Sequence, residues 1–506
     1  MNRQLGTESA REAMAVGLLV VGTATALLLS TRLGIGVSAD GTGYLGFRPH
    51  DVGHAPLYSG LMRLLGLLPF DVGTLARLYH AIVYAVTAVV SWRLLHEATG
   101  RMLPALAGAM LIAFAGQALA LYSMALSEPT FVLLAVLALW SLSGWVDTRS
   151  PRLFFAAAVL AALATLARYP GVALVATGAI TVLAAGARTL LQRFTRAVLF
   201  GMIGVVPALA WMAYVARTTG TAAGRQAGLA GTADTGTFYG GLLEAARYVL
   251  PTEFPAAVRI AALVVVLALL AAATLAFYRR APARKRQPHR YLPAIVLVFL
   301  ALYSAVVVLA VLVEPWLPIS DRYLYPAYVA FVMLGAMTLP ALARTPALRR
   351  VLAAGVVGFV ALSTARAAKV AADGYEEGWG YAAQAWRSSP AVAYVNELPS
   401  GAVVYSDDPY ALLYLTRREV HGVPNAVRRR LGAENPTYEP EIAEMRRRLT
   451  ATNGVIVIFE RDRGEFDIPV LPQLKAAMSL DEKAQLDDAT VYVLAEQSLH
   501  SAAGVY

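Results

Sequence analysis

Asp40 stands in the stretch SADGTGYL, just after the first strongly apolar segment, and a HAPLY turn containing His54 follows it. An aspartate there is a candidate functional acid; the plain alternative is a solvated turn former ahead of Gly41. A second acid, Glu128, stands in ALSEPTF directly before Pro129. Ionisable groups at the mouth of an apolar helix are costly and tend to be functional. A helix-start charge that complements the macrodipole would explain Glu128 as well. Arg322 lies in VEPWLPISDRYLYPAYVAF, beside Glu314, Asp321, Trp316, Tyr323, Tyr325 and Tyr328. Its guanidinium suits bidentate capture of a phosphate, and a local ion pair to Asp321 or Glu314 is the structural counterpart. Arg168, in ATLARYPG, is a second cation of the same kind. His54 either satisfies the backbone of its loop or helps to hold a phosphate or a metal. No His-x-x-x-His spacing supports a metal site, and the chain contains no cysteine, which excludes thiolate chemistry and zinc–thiolate centres.

The elements that must position these residues are membrane helices. Of the 506 residues 58% are hydrophobic and only 15% charged, against about a quarter charged in a soluble chain. Helices are predicted near 13–30, 73–91, 103–121, 129–146, 153–167, 170–186, 197–215, 257–277, 291–313, 323–342 and 350–367, several of them approaching the roughly 20 apolar residues that cross a bilayer. The intervening segments alternate in charge. The N-terminal tail and the connectors near 92–102, 147–152, 187–196, 278–290 and 343–350 carry 18 Lys and Arg, against 9 in the opposite set. The richer set is expected in the cytoplasm. The N-terminus is therefore read as cytoplasmic, the first helix as uncleaved, and everything after residue 368 as extracytoplasmic. The net charge of +10 is thus a topology signal and not a nucleic-acid footprint.

Two outer loops are long, 31–72 and 217–256. In the first, APLYSGLMRLLGLL places Leu57, Leu61, Leu64, Leu65 and Leu68 on one helical face, as for a helix lying in the membrane interface. It would hold Asp40 near the outer lipid surface, with Tyr44, Tyr58, Asp321 and Tyr323 as candidate walls of a substrate cavity. The second begins Gly/Thr-rich and turns helical, as either a flap over a cavity or a plain flexible loop. The tail 369–506 reads as a small α/β domain, with strands at 401–408 and 454–460 and helices at 409–418, 439–449 and 469–478. It carries no glycine fingerprint for phosphate, and a structural cap over the membrane domain is its plain reading.

SADGTGYL, HAPLY, ALSEPTF, LARYPG, SDRYLYP and AVVYSDDPYALLYLTRR follow one another in an order that resembles the GT-C superfamily of polyprenyl-phosphate-sugar glycosyltransferases. The branch it is most similar to contains protein O-mannosyltransferases and lipid A aminoarabinose transferases. The resemblance implies a polytopic α-helical membrane protein of about 11 transmembrane helices (1–368) with a small extracytoplasmic α/β domain (369–506). It also implies an inverting transfer of sugar from a polyprenyl-phosphate donor to a glycan, lipid or protein hydroxyl at the outer face of a bacterial cytoplasmic membrane. Asp40 would be the base, with Glu128 orienting the acceptor or sharing a divalent metal (Mg or Mn). Arg322, with Arg168 or His54, would bind the donor phosphate. Asp40 is followed by Gly41 where many relatives have a second acid, and Ala55 follows His54 where many have proline. The rival readings are a transporter or flippase of a lipid-linked substrate, and a non-catalytic anchor for the outer domain. Transporters place their charges near the bilayer midplane and carry internal repeats, whereas these charges sit at helix ends.

Overall fold

The computed structural model describes residues 2–48, 52–185, 189–221, 235–280, 288–313, 319–428, 433–460 and 470–496. Glu314, Trp316 and much of the Gly/Thr-rich part of the 217–256 loop lie outside the described residues. The described residues of the membrane part are mostly helical: α1 (Asn2–Ser30), α2 (Ala39–Tyr44), α3 (Pro56–Leu65), α4 (Val72–Thr99), α5 (Met102–Ala113), α6 (Gly116–Tyr122), α7 (Glu128–Thr148) and α8 (Pro151–Ala167). It continues with α9 (Val172–Ala185), α10 (Leu190–Thr219), α11 (Thr235–Arg247), α12 (Ala256–Arg279), α13 (Leu292–Val313), α14 (Asp321–Thr338) and α15 (Pro346–Glu377). Long runs of Ala, Leu and Val become helices here because lipid offers no partner for backbone N–H and C=O groups. Local chemistry ends them: Asp71 caps α4 by accepting from Thr74 N at 2.8 Å, and Gly100 closes it in the left-handed region at φ +63°.

Each of the eleven predicted segments coincides with helix, but fewer qualify as full spans. Among the described residues eight helices are long and apolar enough to cross, or nine if α5 and α6, bent by 56° at their break, count as one span. The two segments that fall short are α8 and α9, of 17 and 14 residues. At 1.5 Å per residue the shorter is about 21 Å long, well under the ~30 Å hydrocarbon core. Arg168 and Pro170 interrupt that apolar stretch, so it folds as two short helices separated by Arg168 and the 3-10 turn Tyr169–Gly171.

Burial separates central from peripheral helices. In α7 and α14, 67% of the apolar window is enclosed; in α15 it is 11% and in α10 22%. The peripheral helices present large apolar side chains outward, among them Leu209, Val264, Leu309 and Val357, as a lipid-facing surface requires. The chain is an integral membrane protein. In α3, Tyr58 and Met62 are the enclosed residues and Leu57, Leu61 and Leu65 pack against the core, while Leu64, and after the helix Leu67, Leu68 and Phe70, face outward. The predicted leucine face is therefore divided between protein and surroundings. Polar groups gather at both ends of the bundle. At the end away from Asp40, His289 Nε2 lies 3.2 Å from Glu97 Oε2, its Nδ1 3.0 Å from Ser143 Oγ, and its backbone N–H donates to Asp147 at 2.5 Å.

The tail is a small α/β domain with a five-stranded sheet. Its strands are β1 (Val404–Ser406), β2 (Val420–Gly422), β5 (Val455–Phe459), β6 (Leu480–Gln485) and β7 (Ala489–Leu494), in the order β2-β1-β5-β7-β6; β3 (Val427–Arg428) and β4 (Ala433–Glu434) pair separately. β1 runs parallel to β2 and β5, and the β6–β7 hairpin adds antiparallel to β5. Helices α16 (Gln384–Arg387), α17 (Pro390–Glu397), α18 (Pro409–Thr416), α19 (Tyr438–Thr452) and α20 (Val470–Ala477) complete it. The β6–β7 hairpin was not among the predicted strands: β7 is an enclosed apolar run, but β6 is mostly polar and exposed.

Candidate active site

The loop after α1 enters the site pinned on both sides. Gly36 N–H donates to Ser123 O at 2.8 Å and its carbonyl accepts from Ala125 N at 2.8 Å; Val37 O accepts from Tyr381 N at 2.7 Å. The chain then turns into α2, where Ser38 caps the N-terminus by accepting from Gly41 N at 3.3 Å. Asp40 sits in the first turn of that short helix. Glu128 opens α7, Arg322 lies in the first turn of α14, and Arg168 is the extended residue that ends α8.

Tertiary packing brings these four residues together. Arg322 Nη1 donates to Asp40 Oδ2 at 2.8 Å, and Arg322 Nε donates to Glu128 Oε1. Arg168 forms an ion pair with the same Glu128 oxygen, and its guanidinium lies 5.2 Å from the centre of the Tyr323 ring. The result is a row of alternating charges, Asp40–Arg322–Glu128–Arg168. Its two carboxylates differ in access. Glu128 is completely enclosed, whereas the Asp40 side chain is 35% exposed. A charge enclosed as fully as Glu128 persists only when paired, and here two guanidiniums pair it. Asp40 is the carboxylate that a reactant can reach. Burial pushes its carboxyl up, but the Arg322 guanidinium, with a smaller contribution from His54, holds it below the ordinary aspartate value of 3.8.

Three aromatic groups stand behind the row. Tyr44 lies 3.4 Å through its hydroxyl from Ser127 Oγ, and burial together with the negative charge of Glu128 and Asp40 pushes its phenol up to about 12. It therefore remains a hydrogen-bond donor at neutral pH. The His54 ring packs 4.8 Å from Tyr44, and the His54 carbonyl accepts from Trp211 Nε1 at 3.1 Å. Tyr58 is fully enclosed behind Tyr44 and lines no open surface; its hydroxyl is 2.8 Å from His80 Nε2. His80 Nδ1 is 2.9 Å from the Tyr122 carbonyl. A carbonyl only accepts, so Nδ1 carries the hydrogen and Nε2 accepts from Tyr58. The sequence reading had no signal for His80, a lone histidine on an apolar helix.

Asp321 is not brought to its neighbour Arg322. Its carboxylate faces Arg247 at 3.9 Å, and its backbone carbonyl accepts from Tyr248 at 3.4 Å. Tyr325 and Tyr328 are tied to the carbonyls of Ile112 and Leu111 at 3.0 and 3.1 Å, a structural use of two residues of the aromatic belt. Among the described residues no group of three His, Asp or Glu side chains gathers as a metal-ligand set. Glu128 Oε1 already serves two guanidiniums. This donor set suits guanidinium pairing of anions and does not fit a divalent ion.

The helical membrane domain followed by a small sheet domain has the GT-C fold. Residues 53–211 match the family described as Dolichyl-phosphate-mannose-protein mannosyltransferase. That segment holds Glu128 and Arg168 but neither Asp40 nor Arg322. The whole structure is similar to ArnT from Cupriavidus metallidurans bound to undecaprenyl phosphate, with a TM-score of 0.53 and 14% identity, over 94% of this chain and 97% of that one. It is also similar to the arabinofuranosyltransferase AftD from Mycobacteria, with a TM-score of 0.55 and 13% identity, over 95% of this chain but 40% of that longer one. At such identities the likeness is one of fold. Among curated proteins none matches the sequence significantly.

Proposed function

We propose that the protein is an inverting glycosyltransferase that moves a sugar from a polyprenyl-phosphate donor to an acceptor hydroxyl at the outer face of a bacterial cytoplasmic membrane. The observation that carries this reading is the bridging of Asp40 and Glu128 by Arg322 at the end of the two most enclosed helices. The donor phosphate binds to Arg322 and Arg168, which Glu128 orients from beneath. Asp40 accepts the proton of the acceptor hydroxyl while that oxygen attacks the anomeric carbon. The bond from the anomeric carbon to the phosphate oxygen breaks, the electron pair leaves on the lipid phosphate, and displacement from the opposite side inverts the carbon. The charge that develops on the leaving phosphate falls next to fixed guanidiniums, the arrangement that lowers such a barrier most. Likeness in fold to a protein crystallised with undecaprenyl phosphate supports the donor class. The exposed apolar side chains of and after α3 support an interfacial approach for that donor.

The test is a donor-consumption assay on the purified chain in nanodiscs, using a panel of radiolabelled polyprenyl-phosphate sugars, with Asp40→Asn alongside. Transfer to membrane extract and slow donor hydrolysis are both scored. One donor is expected to be consumed, and the substitution to abolish its consumption. Full transfer by Asp40→Asn would overturn the assignment of the base, and a chain that neither binds nor consumes any donor would overturn the transferase reading.

A further inference from the structure

We propose that the outer sheet domain sets the position of Asp40, with Arg48 as the positioning residue and Tyr410 as its support. The inference rests on Asp40 acting as the base.

α2 has six residues, two of them glycine. A helix this short is marginal in isolation, and glycine makes it weaker, so the turn that aims Asp40 requires outside support. Arg48 supplies it. Its Nη2 donates to the carbonyl of Ala39 at 2.7 Å and its Nε to Thr42 Oγ1 at 3.1 Å, while Thr42 Oγ1 itself donates to Ala39 O at 2.7 Å. The guanidinium thus holds the peptide immediately before Asp40. Its far face lies 4.4 Å from the centre of the Tyr410 ring, at the start of α18 in the outer domain. A cation held on an aromatic face and two acceptors at once has little freedom left.

Tyr410 is itself placed from the membrane side. Asp408 caps α18 by accepting from Ala411 N at 3.3 Å, and the same Asp408 oxygen accepts from Tyr381 OH at 2.9 Å. Tyr381 N–H donates to Val37 O, three residues before Asp40. A second contact runs in parallel: Arg417 lies 4.1 Å from the Phe47 ring and 5.1 Å from the Tyr414 ring. The loop after α1 and α18 therefore form one closed circuit of contacts that includes the peptide immediately before Asp40. Displacing a catalytic group by about 1 Å can cost on the order of a hundredfold in rate, so this circuit has leverage over turnover without touching substrate.

The experiment compares Tyr410→Leu with Tyr410→Phe in the full-length protein in nanodiscs, measuring kcat and KM for the donor that is consumed and the binding of polyprenyl phosphate alone. Leucine removes the aromatic face; phenylalanine keeps it. Tyr410→Leu is expected to lower kcat by about tenfold or more with donor KM and polyprenyl-phosphate binding unchanged, because Arg322 and Arg168 are untouched, and Tyr410→Phe to restore kcat to within about twofold. Wild-type kcat in Tyr410→Leu would overturn the inference. So would equal loss in both variants, or loss of phosphate binding along with kcat. Asp40→Asn is run alongside to separate the two levels. If it is inactive while Tyr410→Leu turns over normally, only the role of Arg48 falls; if it still transfers sugar, the base assignment falls and this inference with it.

Discussion

Arg322 Nη1 donates to Asp40 Oδ2 across 2.8 Å, so the cation proposed to bind the donor phosphate also holds the proposed base. A phosphate arriving at Arg322 competes with Asp40 for that guanidinium. On the proposed reading, Arg322 turning to the phosphate would release Asp40 from the charge that holds its carboxyl low and leave it a stronger base, so that donor binding and activation of the base would be coupled through one side chain.

Arg322→Lys is the sharpest test of this bridge. An ammonium is a compact point charge without the planar fork that reaches two carboxylates at once. Removing one preorganised donor from a developing oxyanion typically costs about 10²–10³ in rate. Arg322→Lys is expected to lose turnover on that scale and to bind polyprenyl phosphate more weakly. Single-turnover transfer and equilibrium binding, read together, check both.

Glu128 is fully enclosed between two guanidiniums, and its removal leaves both without their shared partner. Breaking a buried pair from one side typically costs about 3–5 kcal/mol. Glu128→Ala is expected to lower thermal stability in detergent clearly, and Glu128→Gln, which keeps shape and some hydrogen bonding, to lower it less. Thermal unfolding of the two variants beside wild type decides this. Equal stability of all three would mean that the pair contributes nothing.

The Asp40 carboxyl is held below the ordinary value of 3.8, chiefly by Arg322 working against burial. A lowered folded-state value means that the pair stabilises the protein above the ordinary aspartate range, and that this contribution is lost as pH falls through the lowered value. The stability difference between wild type and Asp40→Asn is therefore expected to be constant near neutrality and to shrink only below about pH 4. In the free enzyme, the acid limb of kcat/KM for donor hydrolysis should likewise fall below pH 3.8. Thermal melts and rate profiles across that range measure the two effects.

The amino-acid sequence by itself determined the helices and their order. Apolar runs such as 291–313 have no alternative to helix in lipid, and their length and flanking arginines are local properties that can be read directly. The strands at Val404–Ser406 and Val455–Phe459 were legible because they are enclosed apolar runs. β6 was not: Leu480–Gln485 is mostly polar and exposed, and it becomes a strand only because β7 pairs with it. Asp40, Glu128, Arg168 and Arg322 were each visible as charges at helix ends; what joins them was not. Asp321 and Arg322 are adjacent in the chain and natural partners on paper, yet successive residues on a helix point about 100° apart. One therefore faces Arg247 and the other faces Asp40 and Glu128. Likewise nothing local links Arg48 to Tyr410 or Tyr58 to His80. Tertiary structure decided these pairings, because partner choice for a buried charge or an aromatic face depends on which helix ends the bundle brings together, and spacing along the chain does not encode that.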